Sequence, residues 1–349
     1  MRRYFFKIFF YTYAWEIFTH CIKAWMPPET LAECGVTDNG NGNGKNHNSY
    51  LWNAMVHPFT RLAIKGTLWY QGENNAGYEG SEYRGHNRDL YRCNFAGLIG
   101  SWRSYWGRNL IYDTSFLFPF GFVQLGPYTN QTTHLAWPEL RWMQTRVSQD
   151  VSNVFMAVTV DDDFDLHPKN KRLPATRLGW AAANKVYSLQ ARPGAGPEVV
   201  SVVWSNDTMM EDGVMMSSVM VRFSEYLTWS WEEGDTPFTP FHLCCMQTMQ
   251  DCDQVCEGRL TQDCIHAFSQ FPYGVGWRSV DRVDLLQMYP EDVVIHYDAE
   301  AVCRGVRPSG LAYLGLETPC AGEERCPLYS DSEHRLPVAP FRTPSPYFH

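Results

Sequence analysis

Beyond its first stretch, the 349-residue chain has no run approaching the ~18 uninterrupted apolar residues of a membrane span, which argues against a membrane role. It also lacks a dense basic stripe. Its 29 Lys and Arg are scattered among 38 Asp and Glu, giving a formal charge of −9. A nucleic-acid partner, whose phosphates demand clustered cations, does not fit that distribution. No internal repeat of solenoid or propeller period occurs, and no C-x-x-C pair of the kind that marks a zinc site. Most consequential for chemistry, there is no G-x-S-x-G, Gly-Asp-Ser or Gly-Gln-Ser, so no segment presents a serine nucleophile in a familiar setting.

What is abundant points elsewhere. Aromatic residues make up 15% of the chain, with 13 Trp. Most such rings fill cores, but proteins that handle carbohydrate also use them to cover the apolar faces of sugars. Eight of the 11 cysteines (Cys244, Cys245, Cys252, Cys256, Cys264, Cys303, Cys320 and Cys326) crowd the last third. That density suits an oxidising compartment, secreted or lysosomal, and favours disulfides over a zinc cluster built from His242, the neighbouring cysteines and His266. An odd total leaves at least one thiol outside intrachain pairs. Asn130-Gln131-Thr132 and Asn206-Asp207-Thr208 are possible glycosylation acceptors. Arg2 and Arg3 precede an apolar run as in a signal peptide, but Lys7 interrupts it and no small-residue cleavage site follows.

The expected organisation has three parts: an atypical segment over 1–45 ending in the turn-rich run NGNGNGK, an α/β core over 46–196, and a β-rich, cysteine-containing region over 197–349. In the core, AIKGTLWY from Ala63, FPFGFVQL from Phe118 and NVFMAVTV from Asn153 read as buried strands. Helical spacing is expected between them at Tyr91, Phe95, Leu98, Ile99 and Trp102, over Trp137–Val147 with Pro138 in the first turn, and over Arg172–Tyr187. Alternating strands and helices predict a mostly parallel sheet covered on both faces. The Pro-rich end LPVAPFRTPSPYFH reads as an extended arm.

Ligands of an open parallel sheet bind beyond the carboxyl ends of its strands. Two loops at such ends are chemically loaded: Gln71-Gly72-Glu73-Asn74-Asn75, where Gly72 permits a tight bend, and Asp161-Asp162-Asp163-Phe164-Asp165-Leu166-His167-Pro168. Acyl transfer needs a base near neutrality, a carboxylate to orient it and neutral donors for the oxyanion. These loops supply His167, then Asp165 or Glu73, then Gln71 or Asn75. Asp161 to Asp163 can be read as a calcium-binding run, but an acidic loop ahead of a helix suits them better. His57 reads as a structural histidine rather than a ligand.

LWNAMVHPF (51–59), KGTLWYQGENN (65–75), FPFGFVQL (118–125) and the His167-Pro168-Lys169-Asn170-Lys171 run together resemble the sialate O-acetylesterase family of the SGNH-hydrolase superfamily. Cys244-Cys245 with Cys252, and TPCAGEERCPLY (318–329), resemble the carboxyl-terminal part of its animal members. The resemblance spans Ile22 to Phe341. It implies an SGNH-like mostly parallel sheet with flanking helices, and removal of O-acetyl groups from sialic acids or sialoglycoconjugates by a serine-esterase mechanism without metal or cofactor, in lysosomes or after secretion. His167 then matches the catalytic histidine, Gln71 to Asn75 match the block lining the site, and Asn74 replaces a serine. Two departures stand out. The family's nucleophilic G-Q-S-N-M motif lies upstream of the part matched by Ile22 to Trp25 and has no counterpart here, and the glycine pair expected nearby falls at Phe18-Thr19. Many SGNH hydrolases also carry an Asp three residues before the histidine, where this chain has Phe164, with Asp165 two before. An esterase whose nucleophile segment is missing from this chain is the first expectation. A non-catalytic sialoglycan-binding relative is the second.

Overall fold

Three short parallel strands, β1 (Thr67–Trp69), β2 (Phe120–Val123) and β3 (Val154–Ala157), form a sheet in the order β1-β2-β3. The computed structural model describes residues 21–36, 47–76, 90–108, 114–128, 136–162, 168–189, 196–209, 215–230, 240–252, 276–280, 282–315, 320 and 325–345. The chain divides into two units. The first takes in Met1–Leu125, Glu139–Ala157 and Lys171–Gly194, and the second Gly126–Pro138, Val158–Asn170 and Ala195–His349.

All four residues of β2 and of β3 are buried, as expected of strands covered on both faces. Successive side chains along a strand point to opposite faces. On one face, Phe120 and Phe122 pack against Phe95 of the helix α3 (Tyr91–Gly107), with ring centroids 6.2 and 4.9 Å apart, and Trp69 meets Trp102 of the same helix edge-on at 5.6 Å. On the other, Val123, Phe155 and Ala157 join Leu178, Ala181 and Ala182 of α5 (Arg172–Tyr187), with Leu68 and Tyr70 packed alongside. Gly121 is on this second face, where an added Cβ would run into the rings of Phe155 and the side chain of Leu68. The strands are shorter than the apolar runs that announce them: Ala63 to Gly66 lie ahead of β1, and Phe118 and Val158 to Val160 are buried outside β2 and β3. Here burial extends past the ladder hydrogen bonds, so hydrophobicity overstates strand length.

Two further devices hold this unit. Arg103 of α3 is almost wholly buried and donates to the carbonyls of Phe118, Ser152 and Asn153, satisfying three backbone acceptors ahead of β2 and β3; burial lowers its guanidinium pKa. A Cys34–Cys93 disulfide ties α3 to the stretch just after α1 (Pro28–Glu33).

The second unit contains antiparallel sheets. One has the order β4-β5-β10-β9, from β4 (Val199–Met209), β5 (Met215–Phe223), β9 (Arg282–Leu285) and β10 (Asp292–Tyr297). Val219, Val221 and Phe223 of β5 are buried and alternate with Met220 and Arg222, which are not, so one face of the strand is packed. Arg222 reaches Asp292 in a two-pronged ion pair at 2.7 and 2.6 Å. The other sheet has the order β13-β11-β7-β8, from β7 (Phe241–Cys244), β8 (Trp277–Ser279), β11 (Gly310–Tyr313) and β13 (Phe341–Pro344). A ribbon pairs β6 (Leu227–Trp229) with β12 (Leu328–Ser330). The carboxyl-terminal stretch read as an extended arm is not loose through Pro344: Leu336, Val338 and Phe341 are buried and β13 pairs with β11.

The cysteines form disulfides, as their density predicts: Cys244–Cys252, Cys245–Cys303 and Cys320–Cys326 join Cys34–Cys93. This removes Cys244, Cys245 and Cys252 as thiolate ligands of a zinc cluster; Cys256, Cys264 and His266 lie outside the described residues. None of the described helices is long and apolar enough to cross a membrane.

Candidate active site

The chain leaves β1 at Trp69 and turns at once through Gln71 and Gly72 into the single-turn helix α2 (Glu73–Ala76). Gly72 has a φ of +150°, and an added Cβ would sit 2.6 Å from Leu140 Cδ2 and 3.2 Å from Gln144 Nε2. Only glycine accepts both that backbone and that crowding. The turn closes through Asn75 N and Ala76 N, which both donate to the Gly72 carbonyl at 2.9 Å.

Gln71 and Asn75 are buried and brace each other: Gln71 Nε2 donates to Asn75 Oδ1 at 2.7 Å, and the same oxygen accepts from the backbone N–H of Ile22 at 3.0 Å. Glu73, between them, is half-buried. Asn74 donates through Nδ2 to Cys21 Sγ at 3.0 Å. Cys21 takes part in none of the described disulfides and is fully buried, and burial pushes its thiol up to about 12, with Lys23 acting in the opposite direction. Burial of this kind disfavours the thiolate.

Three residues that sequence reasoning missed underpin the turn. Gln144 of α4 (Ala136–Asp150) accepts at Oε1 from Leu125 N at 3.0 Å and donates through Nε2 to Gln71 O at 3.2 Å and to Tyr91 OH at 3.4 Å. Tyr91, at the start of α3, lies 3.3 Å from Gln71 O and 3.4 Å from Gln71 Oε1. Burial raises the Tyr91 pKa and keeps the phenol protonated; the Gln144 hydrogen bond opposes that shift and the Glu73 carboxylate adds to it. Arg141, also fully buried, donates through Nε to Leu125 O at 2.8 Å. Arg141 and Gln144 occupy the same helical stripe as Trp137, Leu140 and Val147, all buried. Polar residues inside an apolar stripe were the available signal.

In the second unit, Asp161 is fully buried and accepts at Oδ2 from Tyr329 OH at 3.1 Å, while Tyr329 OH accepts from Cys326 N at 3.0 Å. The start of the acidic run is therefore part of a packed hydrogen-bond chain rather than a solvated loop. Asp165 and His167 lie outside the described residues, as does Asp163. Of the expected site residues, the structure brings together Gln71, Gly72, Glu73 and Asn75. His57 is exposed and packs its ring edge-on against Tyr105 at 5.7 Å.

No protein-family model matches the chain. Among solved structures, a carbohydrate acetylesterase from Xanthomonas citri superposes with a TM-score of 0.60 at 22% identity, over 93% of this chain and 59% of that one. The chain thus shares the mixed α/β fold of that structure. In sequence, about half of the chain is similar to sialate O-acetylesterases. It is 35% identical over 193 residues to the human sialate O-acetylesterase, covering 50% of this chain and 35% of that protein. It is 40% identical over 161 residues to the rat protein, covering 43% and 28%. The chain therefore spans about a third of the length of the curated relatives it matches.

Proposed function

We propose that this chain is part of a carboxylic-ester hydrolase that removes O-acetyl groups from sialic acids. The observation that carries the reading is the Gln71–Asn75 turn, placed directly after the carboxyl end of a buried parallel strand in a chain that over 161 to 193 residues is 35 to 40% identical to sialate O-acetylesterases. In the proposed reaction a serine hydroxyl attacks the acetyl carbonyl while His167 takes its proton. The tetrahedral intermediate collapses as His167 returns that proton to the departing sugar hydroxyl. Water, activated by the same imidazole, then releases acetate from the serine. Asp165 or Glu73 orients His167, and the Gln71–Gly72–Asn75 turn lines the oxyanion side. The serine belongs to a segment matching G-Q-S-N-M, a motif absent from this sequence. The disulfides and the acceptors at Asn130 and Asn206 suit a secreted or lysosomal setting.

The absence of that motif favours one further reading: a protein that binds O-acetylated sialoglycans without cleaving them. Acetate release from an aryl acetate and from O-acetylated sialic acid, measured on the 349-residue chain, on the chain with a Gly-Gln-Ser-Asn-Met segment restored ahead of it, and on His167→Ala of each, separates the two. No release from the original chain, followed by release that appears with the restored segment and disappears in His167→Ala, supports the esterase. Release by the original chain that His167→Ala abolishes places the serine within this chain and overturns its assignment to the missing segment. Binding of the acetylated sugar without release, even with the segment restored, supports the binding protein. A folded extended protein that neither binds nor cleaves sinks both readings.

A further inference from the structure

Gln144 can be oriented in only one way. Its Oε1 faces the Leu125 N–H at 3.0 Å and its Nε2 faces the Gln71 carbonyl at 3.2 Å. A flipped amide would set donor against donor and acceptor against acceptor. The two Nε2 hydrogens are then taken by Gln71 O and by the oxygen of Tyr91, 3.4 Å away. The single Tyr91 hydrogen is shared between Gln71 O at 3.3 Å and Gln71 Oε1 at 3.4 Å, and Gln71 Nε2 donates to Asn75 Oδ1 at 2.7 Å. A connected network of hydrogen bonds thus joins Leu125, Gln144, Tyr91, Gln71 and Asn75. Gln144, Tyr91 and Asn75 are fully buried, where no bulk water competes for these groups and an unmade bond is costly. A Cβ added at Gly72 would sit 3.2 Å from Gln144 Nε2, so Gln144 also crowds the turn at its glycine.

We infer that Gln144 and Tyr91 are positioning residues that fix the orientation of the Gln71 amide and the Gln71–Asn75 turn, and so set the protein's preference for an acetylated over a deacetylated sugar. This rests on the esterase or acetyl-sugar reading above and adds the residues that shape its recognition turn. Both residues are fully buried and act through Gln71.

Calorimetric titration of the full chain with O-acetylated and with deacetylated sialic acid gives the ratio of the two affinities. Gln144→Met removes both ends of the amide at nearly constant volume, and Gln144→Glu puts an acceptor where the Gln71 carbonyl needs a donor. Each is expected to lower the acetyl preference about tenfold, with affinity for the deacetylated sugar changed less than about twofold. Tyr91→Phe breaks the same network one link later and lowers the preference about threefold. Trp106→Leu, a destabilising change in α3 away from the turn, must leave the ratio unchanged, because general loosening weakens both affinities together. An unchanged ratio in folded Gln144→Met overturns the positioning role and leaves the acetyl-sugar reading standing; if that variant does not fold, Tyr91→Phe decides in the same way. A wild-type chain with no acetyl preference overturns the functional reading, and the positioning role with it.

Discussion

In the first unit three parallel strands of three or four residues are buried between helices of 16 and 17 residues, and one described disulfide crosses it. In the second unit strands pair antiparallel over wide separations, as when Arg222 faces Asp292, and three described disulfides link segments around them. The first unit draws its order from aromatic packing and from buried polar groups that are individually satisfied, such as Arg103 and Gln144. The second relies on alternation, cross-strand pairs and covalent links. A parallel sheet has both faces under helices, so a polar group beside it finds its partners inside the protein, as Arg103 and Gln144 do, or goes without one among the described residues, as Thr67 Oγ1 and Trp69 Nε1 do. This is how the turn after β1 comes to be braced so completely.

Changes that attack each mode of stabilisation should differ in kind. Trp102→Ala empties a fully buried site that touches Trp69, Trp106 and Phe120, and should destabilise the first unit by about 5 kcal/mol in denaturant unfolding. Replacing Cys245 and Cys303 by serine opens a link spanning 58 residues and should cost the second unit about 4 kcal/mol, against about 2 kcal/mol for the six-residue Cys320–Cys326 link. Equal losses from the two would mean that chain entropy is not what these bridges contribute. Gly72→Ala forces a Cβ against Leu140 at a φ of +150° and should cost about 2 kcal/mol while reducing binding of the acetylated sugar.

A different kind of effect concerns pH. His242 of β7 is buried beside Ser279, and burial lowers its pKa from the ordinary 6.5 to about 3. Between those values the unfolded chain binds a proton that the folded one refuses. The second unit should therefore lose stability as pH falls from 6.5 toward 3, by at most about 1.4 kcal/mol per pH unit, with no further loss from this group below 3. A His242→Leu variant should show a flatter decline across that window; an identical slope would place the pH sensitivity elsewhere.

Much of the first unit can be read from its residues. Arg172–Tyr187 appears as a helix with the expected bounds, and the three apolar runs do mark the three parallel strands. Helical periodicity and continuous hydrophobicity are local signals, which is why they survive without a structure. Strand ends were overestimated because Val158 and Val160 are buried without pairing in the sheet. The pairing of β5 with β10, and the docking of β13 on β11, depend on partners far along the chain, so no local pattern announces them. In the site, the Gln71–Asn75 turn stood out through its glycine and clustered amides. Tyr91 and Gln144 did not, because helical spacing can put them on a buried stripe but their partners at Gln71 and Leu125 lie far along the chain. The role of Asp161 was likewise hidden in its partner, Tyr329, 168 residues away.

The most direct test is acetate release from O-acetylated sialic acid by this chain extended at its amino end with a segment carrying Gly-Gln-Ser-Asn-Met. The esterase reading predicts release that disappears when the serine of that segment, or His167 in His167→Ala, is replaced by alanine. A folded extended protein that releases no acetate, or one whose release survives His167→Ala, contradicts it.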